Sequence, residues 1–467
     1  MNMKNTIIRN GLAVFVAVLV LALSGCTKYL DIKPYGKTIP KTAEEFSALL
    51  QSTLEKIDFG EETIIGNPSS VGELEAYAEN LEANLTIYPQ GNFLPLYVGS
   101  HLSNQQSHYG NLYESIRDAN LIIGYLEEKE STLGRKVMGS AYAIRGICYY
   151  NLLRDFCEPC TGRLDLPGVP LVTEFDMEAK PRRSTVGKTV NQIEADLNKA
   201  IEYQVNDVDF KFSPMVMKGY LARLYFWTGE WQKALTLAQE VLNAYPLVGP
   251  GAYKEMMESQ VAPKGNYIIK SYIVVDGTNQ IQFDAMQSTL LARPASSDFV
   301  HLFLEKEKDV RYALSLNEKR LPIKKLSAGM RAAEMQLIVA ESNYHLGNQA
   351  AALKALNDLR RNRITPYTDY TMETLPDVKP EQRIRTNALG NPVDKLLSAI
   401  LGERQKELFM EGDRWYELKR NGRPEFWVAR QGRKYTTMKF MYTFPLPIKD
   451  VQLVEGLVQN DGYDKVE

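Results

Sequence analysis

The chain has 467 residues, 24% of them charged and 44% hydrophobic, and 57 acidic against 55 basic side chains leave a formal charge of −2. Such a balance describes a folded globular protein and excludes intrinsic disorder. It gives no electrostatic case for a nucleic-acid partner.

The first 25 residues read as an address. Lys4 and Arg9 form a basic start, and Leu12 to Leu23 is an apolar run of signal-peptide length, short for a membrane span. It ends in Leu23-Ser24-Gly25-Cys26, which resembles a bacterial lipobox. The pattern predicts removal of residues 1–25, acylation of Cys26 and an exported, tethered body. An ordinary signal peptide that happens to contain a cysteine is the alternative. Thr27, in place of Asp, fits an outer-membrane destination. No later apolar run approaches the ~18 residues of a spanning helix.

Residues 26–40 read as an extended linker, since Pro34, Gly36 and Pro40 forbid a helix. A single domain is expected over 41–467. Thr42 with Glu45 forms a capping box that opens a helix through Phe46, Leu50 and Leu54. Residues 59–107 show no period, and a long irregular stretch is more often functional than idle. From Asn111 a stripe through Leu112, Ile116, Ala119 and Ile123 is helical, as is Gly139 to Phe156. Ser184 or Thr185 opens the next helix.

Residues 213–246 form a helix-turn-helix unit turning at Gly229, similar to a tetratricopeptide repeat, with small Ala222 and Ala234 at its close contacts. Residues 331–363 repeat the plan around Gly347, with Asn343 where an aromatic is usual. About 85 residues separate the two units, so a continuous solenoid is not expected. β-like runs appear at Tyr267–Val275 and near Ile281–Phe283. Gly402–Gly422 reads as one helix, in which Glu403, Glu407 and Glu411 recur at i, i+4, i+8. Paired carboxylates invite a glycosidase reading. The commoner reading is an exposed face paired with Arg404, Lys406, Arg414 and Arg420. The tail after Met441 reads as short strand, short helix and turn.

Several separated stretches, in order, carry a family resemblance. They are the lipobox with Lys28-Tyr29-Leu30-Asp31; Asn111-Leu112-Tyr113 with Asn120; Arg145; Leu166-Pro167-Gly168; Arg183-Ser184-Thr185 with Asp196; the 213–246 unit; Asp309-Val310-Arg311; Arg331 with Glu334; Glu403-Arg404 through Glu411-Gly412-Asp413-Arg414-Trp415; and Phe444-Pro445-Leu446-Pro447 with Gln459-Asn460. Together they resemble the SusD/RagB family of Bacteroidetes outer-membrane lipoproteins. The resemblance implies a mainly α fold, with a tetratricopeptide-like helical body, irregular loops and a few short strands. It further implies a non-enzymatic nutrient-binding protein without a cofactor or metal, lipid-anchored at the cell surface. Its partners would be a SusC-like TonB-dependent transporter and a glycan or peptide ligand. A tetratricopeptide adaptor for outer-membrane assembly is a further alternative.

Glycan sites need aromatic faces and polar groups. The loop-rich parts, 59–107 and 264–325, supply Asn67, Tyr77, Tyr88, Asn92, Phe93 and Tyr97, then Tyr272, Asn279, Phe283 and Arg293. Neither the 67–104 nor the 272–293 segment contains Trp, which keeps a peptide ligand open. His101 and His108 sit in the candidate binding loops, where packing and ligand contact are both open. Cys157-Glu158-Pro159-Cys160 has the spacing of a redox motif but lacks a strand–helix setting, and there is no second CxxC for zinc. A structural disulfide or free thiols is expected there, with Cys148 as the other candidate partner.

Overall fold

The computed structural model describes residues 39–82, 105–176, 178–258, 265–271, 290, 292–430 and 433–463. The chain divides into two units, Met1–Lys41 and Thr42–Glu467. Cys26, the leader and nearly all of the linker lie outside the described residues.

Helix α1 (Ala43–Phe59) starts at the predicted capping box: the Thr42 hydroxyl accepts from Glu45 N–H at 3.2 Å and the Glu45 carboxylate accepts from Thr42 N–H at 3.1 Å. Helix α2 (Pro68–Tyr77) falls within a stretch read as irregular. Asn67-Pro68 looked like a breaker but is a start signal. Asn67 caps the helix, and Pro68 sits in a first turn whose N–H groups have no partner to lose. Helices α3 (Gln105–Tyr125) and α4 (Thr132–Phe156) follow, with strand β1 (Pro167–Pro170) paired to β2 (Arg183–Thr185) and Thr185 capping α5 (Val186–Glu202). Helices α6 (Pro214–Thr228) and α7 (Trp231–Ala244) turn at Gly229, as expected. After strand β3 (Tyr267–Lys270), β4 (Gly329–Arg331) leads into α8 (Ala332–His345) and α9 (Gln349–Arg361).

From α3 to α9 each helix packs on the next, and α7 packs directly on α8 although residues 245–331 lie between them. The stack is therefore continuous in space, contrary to expectation. The intervening segment leaves the stack and returns, closed at its return by the antiparallel β3–β4 pair. Ala222, Ala234, Ala238, Ala340 and Ala352 are all buried and keep the helix axes close.

Gly402–Gly422 is not one helix. It is α10 (Lys395–Glu407) and α11 (Asp413–Arg420), broken where Met410 and Gly412 adopt left-handed backbone, φ 63° and 74°. Trp415 is fully buried, stacked on Tyr442 with centroids 4.3 Å apart. A hairpin absent from the sequence reading, β5 (Phe426–Arg430) and β6 (Arg433–Thr437), precedes the tail. Cys148, Cys157 and Cys160 are buried free thiols. Burial pushes the Cys157 and Cys160 thiols up to about 11 and about 12, so neither is a ready nucleophile. Among the described residues no helix is long and apolar enough to cross a membrane.

Candidate functional site

The described part of the first segment expected to bear the ligand meets the chain just past the end of the second. Leu81 pairs with Ala295, Glu82 N–H donates to the Pro294 carbonyl at 2.7 Å, and Ser296 N–H donates to the Asn80 carbonyl at 2.8 Å. Arg293 drives this contact. Its guanidinium donates to the carbonyls of Glu82, Leu81 and Ala76 at 2.9, 3.2 and 3.4 Å. The other end of the second segment is fixed at Ser271, whose hydroxyl donates to the Ile57 carbonyl at 3.0 Å and to Glu62 at 3.3 Å. These contacts join described residues that flank positions 83–104 and 272–289 in the sequence.

The described candidates make contacts within the protein itself. Arg293 is the clasp. The Asn67 side chain accepts from Ser70 N–H and donates to the Glu62 carbonyl, both at 2.9 Å. Tyr77 is 1% exposed, with its ring 5.6 Å from that of Trp415, and belongs to the core. Tyr88, Asn92, Phe93, Tyr97, His101, Tyr272, Asn279 and Phe283 lie outside the described residues.

A polar cleft of about 220 Å³ is lined in part by Asn67, His108, Asn111, Arg154, Asp155 and Tyr416. His108 Nε2 is 2.9 Å from the Asp155 carboxylate, and the Tyr416 hydroxyl donates to its other oxygen at 2.5 Å. Burial pushes the Asp155 carboxyl up, but His108, Arg154 and Tyr416 outweigh it and hold it below its ordinary value. Arg223 forms a fork with Glu334 at 2.7 and 2.5 Å on the same wall. The sequence reading missed Arg154, Asp155 and Tyr416. The available signal was an adjacent charged pair, Arg154-Asp155, closing the largely apolar run after Arg145.

The glutamate ladder is not an exposed face: Glu403 and Glu407 are buried and Glu411 is partly buried. Glu407 accepts from Arg331 at 2.8 Å, from Arg363 at 2.9 and 3.1 Å, and from Arg311 at 3.3 Å. Glu411 accepts from Arg331 at 2.7 Å and Lys324 at 2.8 Å. Glu403 meets Lys406 at 2.6 Å and Arg311 at 2.7 Å, and also Arg360. Of the partners expected from sequence only Lys406 is among these; Arg404 pairs with Asp413, Arg414 with Glu79 and Glu417, and Arg420 with Glu341. Burial alone would raise these three carboxyls, but the guanidinium and ammonium groups outweigh it and hold all three below the ordinary value. A glycosidase acid needs the opposite shift, so the ladder has no proton to offer at neutral pH.

Two family models match in order along the chain. A SusD-like model described as "Starch-binding associating with outer membrane" covers residues 28–226, and a SusD family model covers 327–463. The chain belongs to the SusD/RagB family. SusD-like protein P38 of Formosa agariphila is 24% identical, with 69% of this chain and 73% of that protein covered. Among solved structures, a SusD superfamily protein of Bacteroides thetaiotaomicron matches with TM-score 0.69 and 20% identity, over 90% of this chain and 99% of its own. A sugar-binding protein of Bacteroides vulgatus, so described provisionally, matches with TM-score 0.67 and 21% identity, over 91% and 100%. A laminarin-binding SusD-like protein matches with TM-score 0.59 and 19% identity, over 91% and 100%. The mainly helical SusD-like fold expected from the sequence is the fold observed.

Proposed function

We propose that this chain is a glycan-binding lipoprotein, anchored in the outer membrane through acylated Cys26, that hands its ligand to a SusC-like TonB-dependent transporter. The observation that carries the reading is the in-order match of both SusD models, together with likeness over the whole length of solved SusD structures, one a laminarin binder. Tyr88, Asn92, Tyr97, Asn279 and Phe283 belong to two sequence stretches whose described flanks meet at Leu81 and Ala295, and stacking aromatics with amides suit sugar faces and hydroxyls. Their exposure to ligand is part of the proposal. Catalysis is not: binding and release suffice, and the ladder's carboxylates are held ionised.

The test is a glycan array probed with the processed protein, followed by Tyr88→Ala and Tyr97→Ala. At least one glycan should bind, and at least one substitution should weaken it tenfold or more. Binding of peptides with no glycan bound would turn the reading to a peptide carrier. Isolation of the native lipoprotein from outer membranes should recover a TonB-dependent transporter and an acyl group on Cys26. Failure to find either removes that part.

A further inference from the structure

The polar cleft holds a cation, Arg154, whose charge helps to keep neighbouring Asp155 ionised but which forms no salt bridge with a carboxylate among the described residues. Arg154 stands in the last turn of α4, where a positive charge suits the helix dipole. Its guanidinium carbon lies 3.7 Å from the centre of the Tyr416 ring and 5.1 Å from that of Tyr150. Stacking of this kind fixes the plane of a guanidinium but leaves its N–H edge to be answered. The Nε of Arg154 is buried with no hydrogen-bond partner. The helix dipole accounts for a cation at this position and not for the unanswered edge.

The other charged groups on the wall are already engaged. Asp155 is taken by His108 and Tyr416, Glu334 by Arg223, Asp413 by Arg404, and Glu411 by Arg331 and Lys324. Glu73 has a partner as well. At about 220 Å³ the cleft is smaller than the roughly 300–1,000 Å³ typical of drug-sized ligands, which suits one sugar unit. Asn111 is exposed at its mouth.

We propose that the Arg154 cleft is a subsite for a carboxylated sugar, a uronic-acid unit of the bound glycan. The planar carboxylate would meet the guanidinium edge, a pairing that matches in shape as well as charge. The sugar hydroxyls would face Asn111 and His108. This deepens the glycan reading above and rests on it.

The test compares D-glucuronate and D-galacturonate with their methyl esters by calorimetric titration of the processed protein, with galactose 6-sulfate as a third probe. The acids should bind at least tenfold more tightly than the esters and more tightly than the sulfate. Arg154→Gln should abolish the preference and Arg154→Lys should restore part of it. Asn111→Asp, at an exposed position, should weaken the acids severalfold while leaving the unfolding transition unchanged. Equal binding of acid and ester, no binding of either, preference for the sulfate, or a preference that survives in a folded Arg154→Gln protein would each overturn the proposal. The acid–ester comparison needs no variant, so a misfolded mutant does not protect it. If the array shows neutral glycans bound while uronates gain nothing, the subsite alone falls. If no glycan of either charge binds, the functional reading falls with it.

Discussion

Ala222, Ala234 and Ala340 in the helical stack, and Glu403 and Glu407 in α10, are equally hidden, each at 2% exposure or less. The stack is joined by small apolar side chains at helical spacing. Each interface there is a sum of transfer and packing contributions that any well-fitting apolar set supplies. The seam around α10 is joined by Arg311, Arg331, Arg360 and Arg363 meeting carboxylates. There every charge depends on the presence of another. The difference teaches that one interior can combine a tolerant half with an all-or-nothing half, and that the second fixes which parts meet more than it adds stability.

The largest effect should come from removing one member of the charged seam. Glu407→Ala leaves Arg311, Arg331 and Arg363 short of a partner and should cost about 3–5 kcal/mol in urea unfolding. A loss below about 1 kcal/mol would mean that water already shares the seam. On the other side, Ala222→Leu should cost about 1–3 kcal/mol through overpacking, with a lower denaturation midpoint and an unchanged m-value.

The pH dependence separates two kinds of buried acid. Burial pushes Glu62 and Glu75 up to about 7, against hydrogen bonds from backbone N–H groups, Ser271 and Asn80. Their folded values stand above the unfolded ones, so the folded state holds extra protons in between. Stability from this source falls as pH rises from about 4.5 through 7, and Glu75→Gln should remove about 1–3 kcal/mol of that fall. Glu403, Glu407 and Glu411 are shifted the other way. Their contribution is present above the unfolded value and is lost as pH falls through the lowered one. Urea titrations from pH 8 down to about pH 2 would read the first limb and most of the second. The smallest effect should be at Lys354, which meets Asp358 at 2.6 Å but is 76% exposed. Lys354→Met should change stability by no more than about 0.5 kcal/mol. A larger loss would blur the contrast between surface pairs and the buried seam.

Much of the helical stack was legible because its signals are local: the Thr42 box, the Gly229 turn and apolar stripes at a period of 3.6. The stretches that carried the family resemblance prove to be polar clasps that meet in space. Arg145 forks onto Asp196 at 2.9 and 2.6 Å and donates to Asn120 at 2.8 Å. Arg183 donates to Asn460 at 2.7 Å, and Asn460 donates to the Phe156 and Phe444 carbonyls at 2.9 and 2.7 Å. Burial of the glutamate ladder was not legible. Carboxylates at i and i+4 look the same on a wet face and a dry one, and the deciding partners come from positions 311, 331 and 363. The roles of Tyr77 and Arg293 were hidden for a related reason. Aromatic and cationic residues in an irregular stretch suggest a binding surface, and only tertiary contacts show a core ring and a carbonyl clasp. The α2 start was misread because Asn-Pro serves both as a loop signal and as a helix cap.

The most direct test of the account is equilibrium binding of the processed protein to a panel of oligosaccharides, with the recovered sugar examined by mass spectrometry. The account predicts saturable binding of at least one glycan and its return at full length. No binding across the panel, or a shortened sugar, would contradict it.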